Sequence, residues 1–458
     1  MALVGSAWCA PVAAQTPASA STEIYDFTGF GDEALLNLFY DALQDGRNYP
    51  SAAEFEAAGI QAGDIAFVRS HMRKRPILDR SDRIVEKTYE TRNLWMNIPM
   101  GVGSGGDAGY PSDAFHSDVF SMWNYTNIFG SWNHSIFQAP GSWVDAAHKN
   151  GTDIYSGIKF FDTTGGRTGG AEGYVGMITK KNADGSFKYV KPLINCLMFF
   201  GSDGINYNFE AAGYSDPDVI AFHKALYQEA AAQGFDNFHI GIYTAYSGLN
   251  NGVVDALYGT SATGKTADLM LNYAGGDFSY SIGSSVNLAE QMMGTANGLY
   301  TGVWIVDMNR RWTALDETDA AHRCGVCLWG EHGQSRFYSY NAGNGEMETQ
   351  SNYQALLERG FSGGNRNPLN RPAVSNTGNN WEKAGSKLPL STFCGLAEFI
   401  PERSTIQGDL PFATHFNLGN GNCYLYKGKK TAGTWYNMGN QDMVPTYRWL
   451  VVSPAHTM

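Results

Sequence analysis

The sequence predicts a (β/α)8 barrel, and two features of the chain support this prediction. From about Ser121 onward, short apolar segments alternate with helical ones, which is the pattern of βα units that form a parallel sheet. Eight apolar segments have the length of strands, and eight is the number that closes such a barrel. A chain of 458 residues with 43% hydrophobic side chains is long enough to form this barrel with insertions.

The predicted strands leave intervals that can hold helices or loops. In chain order they are Thr126–Trp132, Asp153–Phe161, Gly204–Glu210, Phe238–Thr244, Asp268–Tyr273, Leu299–Asp307, Cys324–Trp329 and Pro411–Phe416. The Gly- and Asn-rich interval Gly343–Glu402 is predicted to be an extended loop region before the last strand.

Several intervals carry helical patterns with well-defined ends. One runs from Pro140 to Asn150 and stops at Gly151, with Pro near the start and Gly at the end as helices prefer. A second begins after Ser215, repeats apolar residues at helical spacing and stops at Gly234. Further helical stretches are predicted at Asp32–Leu43 and Val190–Phe200.

These elements define four predicted regions. Residues 1–22 are a signal peptide or a tail, 23–87 are an N-terminal extension, 88–430 are the catalytic barrel, and 431–458 are a C-terminal segment. The family resemblance described below implies little or no C-terminal β-sandwich, and the last segment is then expected to be the start of a truncated β module.

Composition and charge exclude several classes of partner. The formal net charge of -12 argues against binding to nucleic acid or to an anionic membrane surface, because both require Lys/Arg clusters. The sequence contains no stretch of the roughly 20 apolar residues that a membrane span needs. Abundant aromatic side chains and few charged ones suit a site for neutral polar ligands such as sugars, and they suit an ordinary core equally well.

The segment Met1–Thr22 consists of apolar and small residues without charge, and it contains the small-residue stretch Val12-Ala13-Ala14-Gln15. This pattern resembles a secretory signal, although the positive n-region is missing. We expect export to the periplasm or outside the cell, with a surface lipoprotein anchored at Cys9 as a variant. A cytoplasmic location is expected if the segment is only a tail. The remaining five cysteines, including the CxxC pair Cys324 and Cys327, are predicted to be buried thiols.

The stretch from Asp203 to Glu210 carries the main chemical signal. Successive strand residues point to opposite faces, so Ile205, Tyr207 and Phe209 share one face. Asn206, Asn208 and Glu210 share the other, and Glu210 lies at the carboxyl end, where the site of a barrel enzyme is found. The stretch is either a catalytic strand or a half-buried strand with a solvated face.

A single carboxylate beside amides favours substrate-assisted hydrolysis. Most glycosidases use two carboxylates, but Asp203 is seven positions from Glu210 and points to the other side. An amide cannot be the nucleophile, although it can orient one. We therefore expect a 2-acetamido carbonyl of the substrate to attack the anomeric carbon and form an oxazoline. Glu210 would act as general acid and then as base, while Asn208 would hold the acetamide.

Two families of glycoside hydrolases resemble this strand. Family 18 carries DxxDxDxE, whereas this chain has Asn at both inner Asp positions. Family 85, the endo-β-N-acetylglucosaminidases, resembles it more closely through its motif DGxxxNxE. Three further regions resemble family 85 motifs, in the same order as in the family: Trp123–His134 followed by Ala139–Gly151 (W-x-Y…YWSH…PPGWxxAAHxNG), Leu410–Gly421 (LPFxTxFxxGxG) and Trp435–Trp449 (WxNxxxQDxLPTxRW).

The resemblance to family 85 implies cleavage between the two core GlcNAc residues of N-linked glycans or glycoproteins. It implies retention at the anomeric carbon and no metal or other cofactor. It also implies that Tyr243 lies near the acetamide. Two positions depart from the family pattern: Thr244 replaces an Asp, and Asp162 replaces a Glu. In addition, Ala274 and Gly275 replace two aromatics that gate the site. These departures leave the glycan preference open.

The other substrate-binding candidates are residues near the carboxyl ends of predicted strands. The tryptophans could stack on sugar faces or fill the core, and the histidine could be structural. Besides Tyr243 and Asp162, the candidates are Trp132, His134, Asn206, Asn272, Trp304, Trp329 and Glu331. Two alternatives remain open, namely a chitinase-like family 18 hydrolase and a catalytically inactive glycan-binding barrel.

Overall fold

The structure is a computed structural model of the 458-residue chain. It describes residues 32–77, 92–98, 120, 122–131, 136, 141–157, 176, 178, 180–209, 217–250, 252, 254–273, 278–304, 311–329, 373–374, 394–405, 420–421, 424–426, 428–433 and 435–436.

Eight parallel strands form a closed barrel, which confirms the predicted fold class. Each strand pairs with the next strand along the chain, and the last pairs with the first. The strands are β1 (Leu94–Ile98), β2 (Ile128–Ser131), β3 (Asp153–Gly157), β4 (Gly204–Phe209), β5 (His239–Thr244), β6 (Asp268–Leu271), β7 (Leu299–Trp304) and β8 (Gly325–Trp329).

Seven predicted strands correspond to β2 through β8, but the eighth strand was assigned to the wrong segment. The barrel begins with Leu94–Ile98, which the sequence analysis did not identify as a strand. This segment pairs with both β2 and β8, so the barrel closes without Pro411–Phe416. Pro411–Phe416 lies outside the described residues.

Helices lie between the strands as the βα pattern predicts. Helix α4 (Gly141–Lys149) connects β2 to β3, and Gly151 follows it with a positive φ of 70° that a residue with a side chain adopts at a cost. The next crossovers contain α5 (Val190–Phe200), α6 (Pro217–Ala232) and, between β6 and β7, α7 (Ile282–Met293). Helices α4, α5 and α6 and the helix that begins at Asp32 confirm the four predicted helices, whereas α7 was not predicted.

The N-terminal segment packs directly on the barrel's outer helices. Its helices are α1 (Asp32–Gln44), α2 (Ala52–Ala57) and α3 (Ala62–Val68). The ring of Phe39 in α1 lies 5.8 Å from that of Phe199 and 6.3 Å from that of Phe200, both in α5. The phenol of Tyr189 donates a hydrogen bond of 2.7 Å to Glu33. The segment therefore shares the hydrophobic core of the barrel.

Large aromatic side chains fill the interior of the barrel. Trp95 in β1 makes edge contacts with Tyr155 at 5.6 Å and Tyr300 at 5.4 Å between ring centroids. A glycine in β5 makes room for them, because a Cβ on Gly241 would lie 2.7 Å from the Tyr155 ring and 2.9 Å from Trp95. This interior is consequently a packed core, as in other barrels of this type.

Charged side chains connect the amino-terminal ends of the strands. The His239 ring contacts Asp268 at 3.1 Å and Asp153 at 3.3 Å. Lys265 pairs with Asp268 at 2.9 Å, and Lys74 from the N-terminal segment pairs with Asp153. Burial alone would lower the pKa of His239, but these two carboxylates outweigh it and raise the pKa to about 10. This end of the barrel is thus held by an ion-pair network.

The described C-terminal residues form two short antiparallel pairs. Tyr424–Tyr426 pairs with Lys429–Ala432, and Asn420–Gly421 pairs with Trp435–Tyr436. The first pair crosses the predicted boundary between residues 430 and 431, and the domain boundaries stay predictions. None of the described helices is long and apolar enough to cross a membrane. Cys196, Cys324, Cys327 and Cys394 are buried free thiols, as predicted.

Candidate active site

Strand β4 presents two different faces, as its alternating sequence predicts. Tyr207 points outward, where its hydroxyl lies 2.6 Å from Nε2 of His223 in α6. Asn206 points inward and donates a hydrogen bond of 2.7 Å from Nδ2 to Oδ1 of Asn97 in β1. Strands β1 and β4 are not neighbours in the barrel, so this bond crosses the interior. The predicted alternation is therefore confirmed for residues 205–207.

The next positions along β4 lead toward the carboxyl end of the barrel. The Cα of Asn208 pairs with that of Tyr243, and Phe209 pairs with Thr244, both in β5. The description of Asn208 is limited to its backbone, and Glu210 lies outside the described residues. The register nevertheless places the Cα of Asn208 beside that of Tyr243, and the shared role of the two residues stays a prediction.

Tyr243 is held at the end of β5 by an asparagine from the next strand. Nδ2 of Asn272, just after β6, donates to the Tyr243 hydroxyl at 3.2 Å and to the carbonyl of Thr244 at 2.8 Å. The backbone N–H of Asn272 donates to the carbonyl of Tyr246 at 2.7 Å. Tyr243 and Asn272 were both predicted as site residues, and the structure brings them into contact.

Trp329 forms an aromatic wall beside Tyr243. The two rings are 4.9 Å apart and tilted by 38°, while Tyr273 stacks on Trp329 at 5.4 Å with an angle of 24°. Only 6% of Trp329 is exposed, so most of its surface already contacts protein. Its described contacts are those of a supporting residue in the wall, and direct stacking on a sugar stays a prediction.

Asn97 is a residue of this region that the sequence analysis missed. It is fully buried, and its Cα pairs with Gly130 in β2 and Trp329 in β8. Within the described part of the chain, its Nδ2 has no hydrogen-bond partner. The alternation of Leu94–Ile98, with Trp95 and Asn97 on one face, is a signal that could have identified it.

Gly130 makes room for the two buried amides. A Cβ at this position would lie 2.5 Å from Nε1 of Trp95, 2.8 Å from Oδ1 of Asn97 and 2.9 Å from Nδ2 of Asn206. These distances are shorter than side-chain packing permits. The glycine therefore allows an amide pair to form next to Trp329, whose Cα pairs with that of Asn97.

Asp203 lies at the other end of β4 and belongs to the ion-pair network. Its carboxylate contacts Nε2 of His148 at 2.8 Å and accepts from the backbone N–H of Ile154 at 2.8 Å. Six positions of extended chain separate it from Phe209, the last described residue of β4, which corresponds to roughly 20 Å at about 3.3 Å per residue. Asp203 is therefore far from the carboxyl end of β4, where a barrel enzyme carries its catalytic groups.

His148 has a structural role, because its ring contacts the carbonyl of Met72 and the carboxylate of Asp203. Burial would lower its pKa, but the Asp203 charge and hydrogen bond raise it. Of the other candidates, Trp304 is described by its backbone alone, and its Cα pairs with that of Trp329. Asp162, Trp132, His134 and Glu331 lie outside the described residues.

The described groups at the carboxyl end are amides, a phenol and aromatic rings. Such groups can hydrogen-bond and orient a neutral polar ligand while excluding water from one side of it. Among the described residues, no three His, Cys, Asp or Glu side chains are grouped so that they could hold a metal ion.

Comparison with solved structures finds a likeness to a glycoside hydrolase domain. The glycoside hydrolase domain of Endo-D from Streptococcus pneumoniae R6 is 17% identical with a TM-score of 0.61, over 83% of this chain and 58% of that chain. At this identity the likeness shows the fold, and the chain spans little more than half of that structure's length.

Two chitinases give weaker matches that support no argument about fold. The family 18 chitinase ChiB of Flavobacterium johnsoniae has a TM-score of 0.31 at 10% identity, over 59% of this chain and 96% of that chain. The family 18 chitinase of the fern Peteris ryukyuensis has a TM-score of 0.29 at 12% identity, over 58% of this chain and 99% of that chain.

The family comparison agrees with the motifs. No curated protein matches the chain. The model of glycosyl hydrolase family 85 matches residues 106–252, which contain β2 through β5 and therefore the positions of Asn208, Glu210 and Tyr243. The resemblance to glycosyl hydrolase family 85 that the motifs predict is thus confirmed over residues 106–252 of this barrel.

Proposed function

We propose that this chain is a glycoside hydrolase of the endo-β-N-acetylglucosaminidase type that cleaves the GlcNAc-β-1,4-GlcNAc bond in the core of N-linked glycans. One observation carries the proposal. The match to glycosyl hydrolase family 85 covers residues 106–252, and the strand that bears Asn208 and directly precedes Glu210 in the sequence is a barrel strand whose residue Asn206 faces the interior.

The alternation of side chains along β4 supports the roles proposed for Asn208 and Glu210. Alternate strand residues share a face, so the inward direction of Asn206 is expected to extend to positions 208 and 210. Asn208 lies near the carboxyl end of β4 and Glu210 follows that strand in the sequence, and barrel enzymes carry their catalytic groups at this end. Glu210 then acts as general acid on the leaving oxygen and afterwards as base toward water.

The position of Asn208 beside Tyr243 suits a site for an acetamide. Its Cα pairs with that of Tyr243, whose hydroxyl is fixed by Asn272. We propose that Asn208 and Tyr243 hold the 2-acetamido group so that its carbonyl oxygen attacks the anomeric carbon. The product of this step is an oxazoline, and the reaction retains the anomeric configuration.

The location of Asp203 supports the substrate as the nucleophile. A retaining enzyme with a protein nucleophile needs a second carboxylate about 5–5.5 Å from the acid. Asp203 is at the opposite end of the strand and contacts His148. Among the carboxylates considered from the sequence, this leaves Asp162 as the rival nucleophile.

The substrate and the location of the enzyme are part of the same proposal. We propose N-linked glycans or glycoproteins as substrates and export from the cytoplasm as the location. Export rests on the signal-like pattern of Met1–Thr22, which lies outside the described residues.

The proposal is tested with ribonuclease B as a glycoprotein substrate. We expect the protein to release the glycan and leave one GlcNAc on the asparagine, which a gel shift and mass spectrometry detect. Glu210→Gln should fold normally and lose about 10²–10⁴-fold in rate, as expected for the loss of general acid–base catalysis. The control Glu56→Gln changes an exposed glutamate in the N-terminal segment and should retain activity.

Two other results would replace the proposal. Cleavage of chitin oligomers with ribonuclease B left intact would indicate a chitinase-like hydrolase. Binding of a released glycan without cleavage of any substrate would indicate an inactive glycan-binding barrel.

A further inference from the structure

Exposed large hydrophobic side chains are few, and two of them lie beside the candidate site. Among the described residues they are Tyr49, Ile77, Tyr246 and Tyr280. Tyr49 and Ile77 belong to the N-terminal segment, whereas Tyr246 and Tyr280 follow β5 and β6 at the carboxyl end of the barrel. Tyr280 stands out, because 71% of it is exposed compared with 38–39% for the others.

The Tyr280 ring is supported from one side by a fixed cation. The guanidinium carbon of Arg311 lies 3.7 Å from the ring centroid. Arg311 also donates to the carbonyl of Phe278 at 3.1 Å and pairs with Glu317 at 3.2 Å. Only 18% of the Arg311 side chain is exposed. The ring is therefore held in place, and Tyr280 loses little side-chain entropy when a ligand stacks on it.

The residues just before Tyr280 are also held in place by contacts with other segments. The Phe278 ring is buried and makes an edge contact of 5.1 Å with Trp312. The hydroxyl of Ser279 donates to the carbonyl of Ser247 in the segment that follows β5. These contacts fix an exposed aromatic ring on a rigid support.

Hydrogen bonds connect this support to the candidate site. Asn272 donates to the Tyr243 hydroxyl through its side chain and to the Tyr246 carbonyl through its backbone. Residues 246 and 247 are adjacent, and Ser279 is bound to Ser247. The segments after β5 and β6 therefore form one connected rim, with Tyr243 at its inner end and Tyr280 at its outer end.

We propose that the exposed ring of Tyr280, backed by Arg311, is a stacking subsite for a branch hexose of the glycan substrate. The C–H face of a hexose is apolar and flat, so an aromatic ring removes it from water while its hydroxyls stay solvated. A branched N-glycan extends several sugars beyond the bond that is cleaved, which allows it to reach the outer end of the rim. This inference rests on the proposed function.

The test compares two substrates in wild type and in Tyr280→Ala. One substrate is a glycopeptide with a full high-mannose glycan, and the other carries only the core trisaccharide Man-GlcNAc-GlcNAc. For the full glycan we expect Tyr280→Ala to raise KM about 3- to 10-fold with kcat unchanged, because stacking of this kind binds ground state and transition state equally. For the core substrate KM should not change.

Two further variants separate stacking from other effects. Tyr280→Phe keeps the ring and removes the hydroxyl, so it should behave like wild type. Tyr49→Ala removes the exposed tyrosine of the N-terminal segment and should leave both KM values unchanged. Tyr280→Gln is a second substitution for the same comparison if Tyr280→Ala does not fold.

The results distinguish failure of this inference from failure of the proposed function. If wild type cleaves neither substrate, the proposed function is wrong, and the proposed subsite is wrong as well. If wild type cleaves both and Tyr280→Ala leaves KM for the full glycan unchanged, the subsite alone is wrong. An equal rise of KM for both substrates, or a loss in Tyr280→Phe as large as in Tyr280→Ala, would also overturn it.

Discussion

The hydrogen bond between Asn97 and Asn206 joins two strands across the barrel. Its removal tests whether this amide pair positions the carboxyl end of β4, which carries Asn208. Both side chains are at most 1% exposed, and their donor and acceptor are 2.7 Å apart. A neutral buried hydrogen bond contributes about 0.5–1.5 kcal/mol to the free energy of unfolding, and a buried donor left without an acceptor costs about 1–3 kcal/mol. Asn97→Ala removes the acceptor and also the Nδ2 group that has no described partner.

The net expectation is a loss of about 1–2 kcal/mol of unfolding free energy in Asn97→Ala. A double-mutant cycle with Asn206→Ala isolates the pair, and we expect a coupling energy of about 1–2 kcal/mol. The free energies are measured by urea denaturation of the four proteins. Activity on a glycopeptide should fall about 10- to 100-fold in Asn97→Ala, because a small displacement of β4 misplaces its last residues.

A coupling energy below about 0.3 kcal/mol would show that the two amides do not stabilise each other. A full coupling energy with wild-type kcat and KM in Asn97→Ala would show that the pair has no effect on the site. Either result refutes the reasoning that the Asn97–Asn206 pair positions the carboxyl end of β4.

Two other predictions concern the fold around the site. Gly130→Ala places a Cβ within 2.9 Å of three side chains and should cost about 1–3 kcal/mol by overpacking, whereas Gly433→Ala, with open space around it, should not change the urea midpoint. The pKa of His239 is raised from 6.5 to about 10. The contribution of protonated His239 to the free energy of unfolding is therefore complete below pH 6.5 and is lost as the pH rises to 10. The full shift corresponds to about 5 kcal/mol, but 26% of the side chain is exposed, so we expect a smaller decrease in stability from pH 6.5 to 10. His239→Gln should flatten this decrease, and an unchanged pH profile in that variant would contradict the assignment.

The sequence predicted the barrel well because its strands and helices carry strong local signals. Helix α5 is bounded by the predicted residues Val190 and Phe200, and it is apolar over most of its surface because it packs against both α1 and the barrel. Strand β4 was recognised because its two faces differ in polarity. Local patterning of this kind survives folding whenever the two faces meet different surroundings.

The first strand escaped prediction because its signal is not local. Leu94–Ile98 has five residues, and Trp95 and Asn97 face an interior that other strands create. Nothing in the sequence of Asn97 alone indicates a partner 109 positions away in Asn206. The wrong choice of Pro411–Phe416 followed from this omission, since a barrel of eight then required another strand.

Site residues with a motif were easier to predict than those that act through packing. Tyr243 was assigned from the family resemblance and Asn272 from its place near the end of a predicted strand, and the two side chains are in contact. The role of Gly130 could not be predicted, because it depends on three side chains from β1 and β4 that meet only in the closed barrel. The same applies to Arg311, which reaches Tyr280 from a different segment of the chain.

The most direct test of substrate assistance compares Asn208→Ala with Glu210→Ala on two donors. If Asn208 only orients the acetamide, Asn208→Ala should fail to hydrolyse a natural glycan yet still transfer sugar from a synthetic glycan oxazoline to a GlcNAc acceptor. Glu210→Ala should lose both reactions, because the acceptor hydroxyl still needs a base. The account predicts this asymmetry. Absence of transfer from the oxazoline by Asn208→Ala, or a covalent glycosyl-enzyme trapped at Asp162, would contradict it.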